Sequence, residues 1–167
     1  MTELIIMVGL PGSGKSTFVD DYIIGKGFQE GVYGYHIVSR DDIRLAFGSG
    51  FNHLVEPHIG AIARTMVRAY MIRGIDIVVD ETNTNISTIK MWTELAQEYG
   101  YKIRAMVMTT PLKICKERRE TSKGKFPENI IDKMYEQLEA LLVDVFFNDT
   151  FDKIQFFNAE GEEIQQC

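Results

Sequence analysis

Cysteine is scarce in this chain: Cys115 and Cys167 are the only two among 167 residues. They form neither a disulfide framework nor a zinc-binding spacing, and a reduced, cytoplasmic setting is expected. Basic charge is also in deficit, with 18 Lys and Arg against 24 Asp and Glu, a net charge of −6. An acidic whole argues against general coating of nucleic acid, which needs a basic surface, but leaves room for a local basic site. No apolar run approaches the roughly 20 residues needed to cross a bilayer. The opening "MTELIIMVGLPG" has no basic n-region, so neither a signal nor a membrane partner is expected. His36, His53 and His58 lack metal-ligand spacing. With no linker, repeat or low-complexity tract, residues 1–167 are expected to form a single domain.

Short apolar runs alternate with segments of helical period. "LIIMVG" (4–9), "YHIVS" (35–39), "IDIVVD" (75–80), "IRAMVM" (103–108) and "KIQFF" (153–157) have strand length and β-branched or aromatic character. Most are too uniformly apolar for a half-exposed strand and predict a sheet buried on both faces. Helical patterns cover about 15–25, 41–48, 54–73, 86–99, 111–119 and 128–146. Asn85 suits an N-cap, Trp92 falls on the buried stripe of the helix that follows, and Gly74 and Gly100 suit C′ positions. The expectation is an α/β fold: an open, doubly wound, mostly parallel five-stranded sheet with helices on both faces. Its functional loops lie at the carboxyl ends of the strands.

"GLPGSGKST" (9–17) follows the first strand and opens a helix, the context in which G-x-x-x-x-G-K-[ST] cradles phosphate. Gly12 and Gly14 allow the curl that converges backbone N–H groups on phosphate oxygens, and the helix N-terminus adds its dipole. Lys15 suits the β/γ-phosphates of ATP and the Ser16 hydroxyl suits Mg²⁺. The phosphate-binding set is therefore Gly9, Pro11, Gly12, Ser13, Gly14, Lys15, Ser16 and Thr17. "IDIVVDETNTN" (75–85) ends a hydrophobic strand in acid and resembles a Walker B segment, with Asp80 and Glu81 both candidates for holding the metal. Helix capping is the competing role for 82–85.

"VSRDDIR" (38–44) places two acids and two arginines after another strand. If strand 35–39 neighbours the phosphate-binding strand, its carboxyl end faces the same crevice. An aspartate there can accept a proton from a hydroxyl attacking the γ-phosphate. Arg44, three residues on from Asp41, shares its helical face and suits a bidentate clamp on an anionic acceptor. The competing role for Asp41 or Asp42 is an N-cap.

Together "GLPGSGKST", "SRDDIR", "DETNTN" and "MWTELAQEYGYKI" resemble the kinase domain of the bacteriophage-type polynucleotide 5′-hydroxyl kinases, a P-loop kinase family, over about residues 4–140. The resemblance implies ATP-dependent phosphoryl transfer to the 5′-OH end of DNA or RNA, in nucleic-acid end healing. It implies Asp41 as general base and Arg44 as contact for the phosphate 3′ of the terminal nucleotide. Glu81 matches the phage pattern and Asp80 that of a related bacterial kinase. The family's lid arginine has no direct counterpart, since Thr121 or Ser122 falls near its position. Arg119 or Lys123, in a basic lid at about 117–127, must serve instead, or the lid is arranged differently; lysine replaces a bidentate arginine poorly. No D-x-D-x-T phosphatase motif is present, so the kinase domain alone is expected. Two other readings remain: a P-loop kinase of a small hydroxyl compound such as a sugar, nucleoside or antibiotic, and an ATP-binding switch without an acceptor.

Overall fold

The computed structural model describes residues 2–24, 34–48, 51–121 and 128–165. Five parallel strands form the sheet: β1 (Glu3–Val8), β2 (His36–Val38), β3 (Ile77–Val79), β4 (Lys102–Met108) and β5 (Lys153–Phe157). A sixth, β6 (Glu163–Ile164), pairs antiparallel to β5. The order is β2-β3-β1-β4-β5-β6. Two expectations change here. The sheet has six strands, because a turn stabilised by Asn158, whose Oδ1 accepts from the Glu160 and Glu162 amides, folds a two-residue edge back onto β5. Two exposed residues carry no strand periodicity to detect. Strand 35–39 also does not neighbour β1: β3 lies between them, pairing with both. Since β2, β3 and β1 run parallel, Asp41 still reaches the shared carboxyl edge, one strand further out.

Burial on both faces explains the unbroken apolar runs. Leu4, Ile6 and Val8 point into a core with Ile59, Val67 and Trp92. Ile5 and Met7 point into a second core with Phe18, Val19 and Phe157. Trp92 is fully buried, as its stripe predicts; truncating it to alanine removes about 3–5 kcal/mol.

The helices are α1 (Lys15–Phe18), α2 (Arg40–Ala46), α3 (Glu56–Ile72), α4 (Ile86–Glu98), α5 (Leu112–Thr121), α6 (Glu128–Leu142) and α7 (Val145–Thr150). The pattern at 15–25 is one α-turn that widens into a π-helical segment, Val19–Ile24. Phe18 and Ile23, five residues apart, are both buried, in keeping with an i→i+5 repeat. The pattern at 128–146 breaks in two because Asp144 accepts hydrogen bonds from the Phe146 and Phe147 amides and starts α7. Asn85 caps α4 by accepting from the Ser87 amide at 2.8 Å. Gly74 and Gly100 take left-handed conformations after α3 and α4. Among the described residues, no helix is long and apolar enough to cross a membrane.

Candidate active site

The loop between β1 and α1 curls as its glycines allow. Gly12 and Gly14 have φ of 82° and 95°, and a Cβ on Gly12 would meet the Cys115 carbonyl oxygen at 2.6 Å. Only glycine fits under α5 at that point. Thr110 Oγ1 donates to the Ser13 carbonyl at 2.8 Å, tying the loop to the end of β4. The Gly9 amide donates to Thr82 at 2.9 Å, tying it to the segment after β3.

Lys15 is buried and turned onto its own loop. Its Nζ donates to the carbonyls of Gly9 and Leu10 at 2.9 and 2.8 Å and to Ser13 Oγ at 3.4 Å. Desolvation lowers its pKa to about 8 against the pull of Asp80; nearby Arg119 lowers it further. These contacts hold an ammonium against the carbonyls of the glycine-rich loop; a polyphosphate requires such a cation beside backbone amides.

Asp80 and Glu81 are adjacent in sequence but differ in partner. Asp80 is hydrogen-bonded to Ser16; burial raises its pKa, while that hydrogen bond and Lys15 oppose the rise. Glu81 faces the other way, with Oε1 3.0 Å from Arg40 Nε but no directed hydrogen bond between them. Burial therefore dominates and pushes its pKa up to about 7. Asn83, at φ 47°, donates from Nδ2 to the Met7 carbonyl at 2.7 Å and pins this loop to β1. Among the described residues, no cluster of three His, Cys, Asp or Glu side chains forms a metal cage.

At the start of α2, Ser39 is the N-cap, accepting from the Asp42 amide at 3.4 Å. Ser39 therefore takes the capping role that competed for Asp41 or Asp42: both sit in the first helical turn, where their charge favours the dipole. The Asp41 side chain is 91% exposed and its Oδ1 pairs with Arg44 Nη1. Glu56, at the start of α3, grips the rest of that guanidinium, at 2.5 Å to Nε and 2.7 Å to Nη2. This mutual hydrogen bonding raises the pKa of Arg44 and lowers that of Glu56. Nothing in the sequence pointed to Glu56, which lies 12 residues away across a turn.

From α5, Arg118 Nη1 donates to the Gly12 carbonyl at 3.3 Å. The Arg119 Cγ lies 3.1 Å from where a Gly12 Cβ would stand. The basic segment thus reaches the phosphate loop through Arg118 as well as Arg119, and Arg118 went unrecognised within its own charge run. Lys123 lies outside the described residues. Beside the loop, a cleft of about 530 Å³ is bounded by Thr17, Phe18, Tyr22, Arg118 and the turn Ala159–Gly161. Phe18 and Tyr22 stack in its wall, with centroids 4.8 Å apart. No sequence signal marked this cleft, because its walls come from opposite ends of the chain.

A family model described as an AAA domain matches residues 4–141. A putative bifunctional polynucleotide phosphatase/kinase of Acanthamoeba polyphaga mimivirus is 28% identical over 158 residues, covering 92% of this chain and 32% of the relative. A putative bifunctional polynucleotide kinase/RNA ligase of Autographa californica nuclear polyhedrosis virus is 25% identical over 152 residues, covering 81% of this chain and 20% of the relative. The chain thus spans a third or less of these curated relatives. A solved structure of the Pnkp1/Rnl/Hen1 RNA repair complex superposes with a TM-score of 0.68 at 26% identity, over 99% of this chain and 49% of that one.

Proposed function

The chain belongs to the AAA domain family, and we propose that it is an ATP-dependent polynucleotide 5′-hydroxyl kinase domain. The observation that carries this reading is the carboxyl edge of the sheet. A phosphate cradle with Lys15, Ser16 and Asp80 stands at one end, and an exposed carboxylate paired with an anchored guanidinium, Asp41 with Arg44, at the other. A nucleotide-binding switch has no use for the second pair. Relatives named as polynucleotide kinases support the acceptor class.

In this reading the triphosphate of ATP lies on the Gly9–Thr17 loop, where it takes Lys15 from the loop carbonyls. The adenine occupies the Phe18/Tyr22 cleft, whose volume suits a small-molecule site. Ser16 and Asp80 would hold Mg²⁺, which would supply charge neutralisation at the transferred group. The hydrogen bond between Ser16 and Asp80 favours Asp80 over Glu81 for that role. Glu81 instead faces Arg40. Asp41 orients the 5′-hydroxyl and accepts its proton as the oxygen bonds to the γ-phosphorus and the bond from that phosphorus to the β,γ-bridging oxygen breaks, releasing ADP. Arg44, held by Glu56, receives the phosphate on the 3′ side of the terminal nucleotide. Arg118 and Arg119 face the transferring phosphoryl group, where charge spreads in the transition state.

A small-molecule hydroxyl acceptor is the second reading, favoured by the net charge of −6. Transfer of labelled γ-phosphate from ATP to 5′-OH oligonucleotides, run beside sugars, nucleosides and antibiotics, separates the two. Labelling of oligonucleotide ends is the expected result; labelling of small compounds alone overturns the proposal.

A further inference from the structure

Between Leu45 and Val55 the chain carries no charged residue, yet four of its large apolar side chains stand in solvent. Leu45 is 77% exposed, Phe47 62%, Phe51 69% and Leu54 71%. One exposed leucine is ordinary; four such residues within ten positions form a patch that a functional surface explains better than chance. The patch begins at the acceptor clamp. Phe47 follows Arg44 by three residues, on the same side of the last turn of α2. The Arg44 guanidinium lies 5.8 Å from the centre of the Phe51 ring.

We propose that Phe47 and Phe51 form a stacking platform for single-stranded nucleic acid, carrying the bases that follow the terminal nucleotide. The inference rests on the polynucleotide reading above and gives the strand its path away from Arg44. An acidic chain needs a means other than general charge to hold a strand. A chain of net charge −6 cannot hold a polyanion through a general basic surface. Base stacking on aromatic faces supplies affinity without cations and tolerates any sequence, because every base has a π-face. The Phe51 ring beside the Arg44 guanidinium, with Phe47 three residues on from Arg44, suits the alternation of base and phosphate along a strand.

The test is fluorescence anisotropy of a 3′-labelled, 5′-OH single strand with the full chain and its Phe47→Ala/Phe51→Ala double variant. Steady-state transfer to that strand and to a nucleoside 3′-phosphate is measured beside it. Both side chains are largely exposed, so thermal melting should be unchanged. The double variant should bind the strand roughly tenfold more weakly, with its KM raised alike. Its kcat and KM for the nucleoside 3′-phosphate should match wild type, and the salt dependence of strand binding should not change, since no phosphate contact is lost. Unchanged strand affinity overturns the platform, as it would if the patch served a protein partner or a second copy of the chain. An equal loss with the nucleoside 3′-phosphate also overturns it, by placing the effect in Arg44. Because binding is measured without transfer, a wild type that needs both rings to hold the strand but phosphorylates no end keeps the platform and sinks the kinase reading.

Discussion

Glu56 holds Arg44 by two of its three nitrogens, at 2.5 and 2.7 Å, and leaves Nη1 turned to Asp41. The guanidinium is thereby fixed on α2 by a residue of α3 before any acceptor arrives. Hydrogen bonds between charged groups contribute about 1.5–3 kcal/mol. Glu56→Gln should therefore raise the KM for a 5′-OH oligonucleotide by about tenfold while the KM for ATP stays put. Equal movement of both constants in steady-state assays would show that Glu56 merely supports the fold.

Asp41→Asn keeps the shape of the side chain and removes its charge and basicity. The expected result is a fall in kcat of about 10²-fold, the scale of general-base catalysis, with ATP affinity unchanged. Asp42→Asn should stay near wild type, since Ser39 supplies the cap of α2. A crippled Asp42 variant beside an active Asp41 variant reverses the assignment.

The two acids after β3 should separate by phenotype. Asp80→Asn should raise the Mg²⁺ concentration needed for half-maximal transfer, because it removes the partner of Ser16. Glu81→Gln should leave that requirement unchanged and show itself in stability. The Glu81 pKa rises from 4.5 to about 7 on folding. The folded state therefore binds the proton more tightly, a stabilisation that is complete below pH 4.5 and lost as pH rises to about 7. Thermal melting across that window should decline less in Glu81→Gln than in wild type.

Lys15 gives a contribution of opposite slope. Its pKa falls from 10.5 to about 8 on folding, so between those values the unfolded chain binds more protons and this group makes stability rise with pH. Lys15→Met should lack that rise. In wild type the KM for ATP should climb as pH passes 8 and the ammonium is lost, which pH-resolved kinetics will detect.

The sequence by itself determined what depends on neighbours in the chain. Apolar runs of strand length marked all five parallel strands, since a strand buried on both faces must be apolar at every position. The phosphate loop was legible because its curl requires Gly12 and Gly14 locally, and Asn85, Gly74 and Gly100 declared the helix ends for the same reason. Tertiary structure alone decided which strand lies beside β1, because the apolar runs of β2 and β3 suit either position. It also decided the partners of the charged groups. Asp80 and Glu81 differ by one residue, yet one meets Ser16 and the other Arg40. Glu56 reaches Arg44 only because α2 and α3 pack together, and the Phe18/Tyr22 cleft exists only because the turn at 159–161 folds over α1. Periodicity and motif chemistry act over a few residues, whereas strand order and ion pairing are set by contacts between segments far apart in the chain.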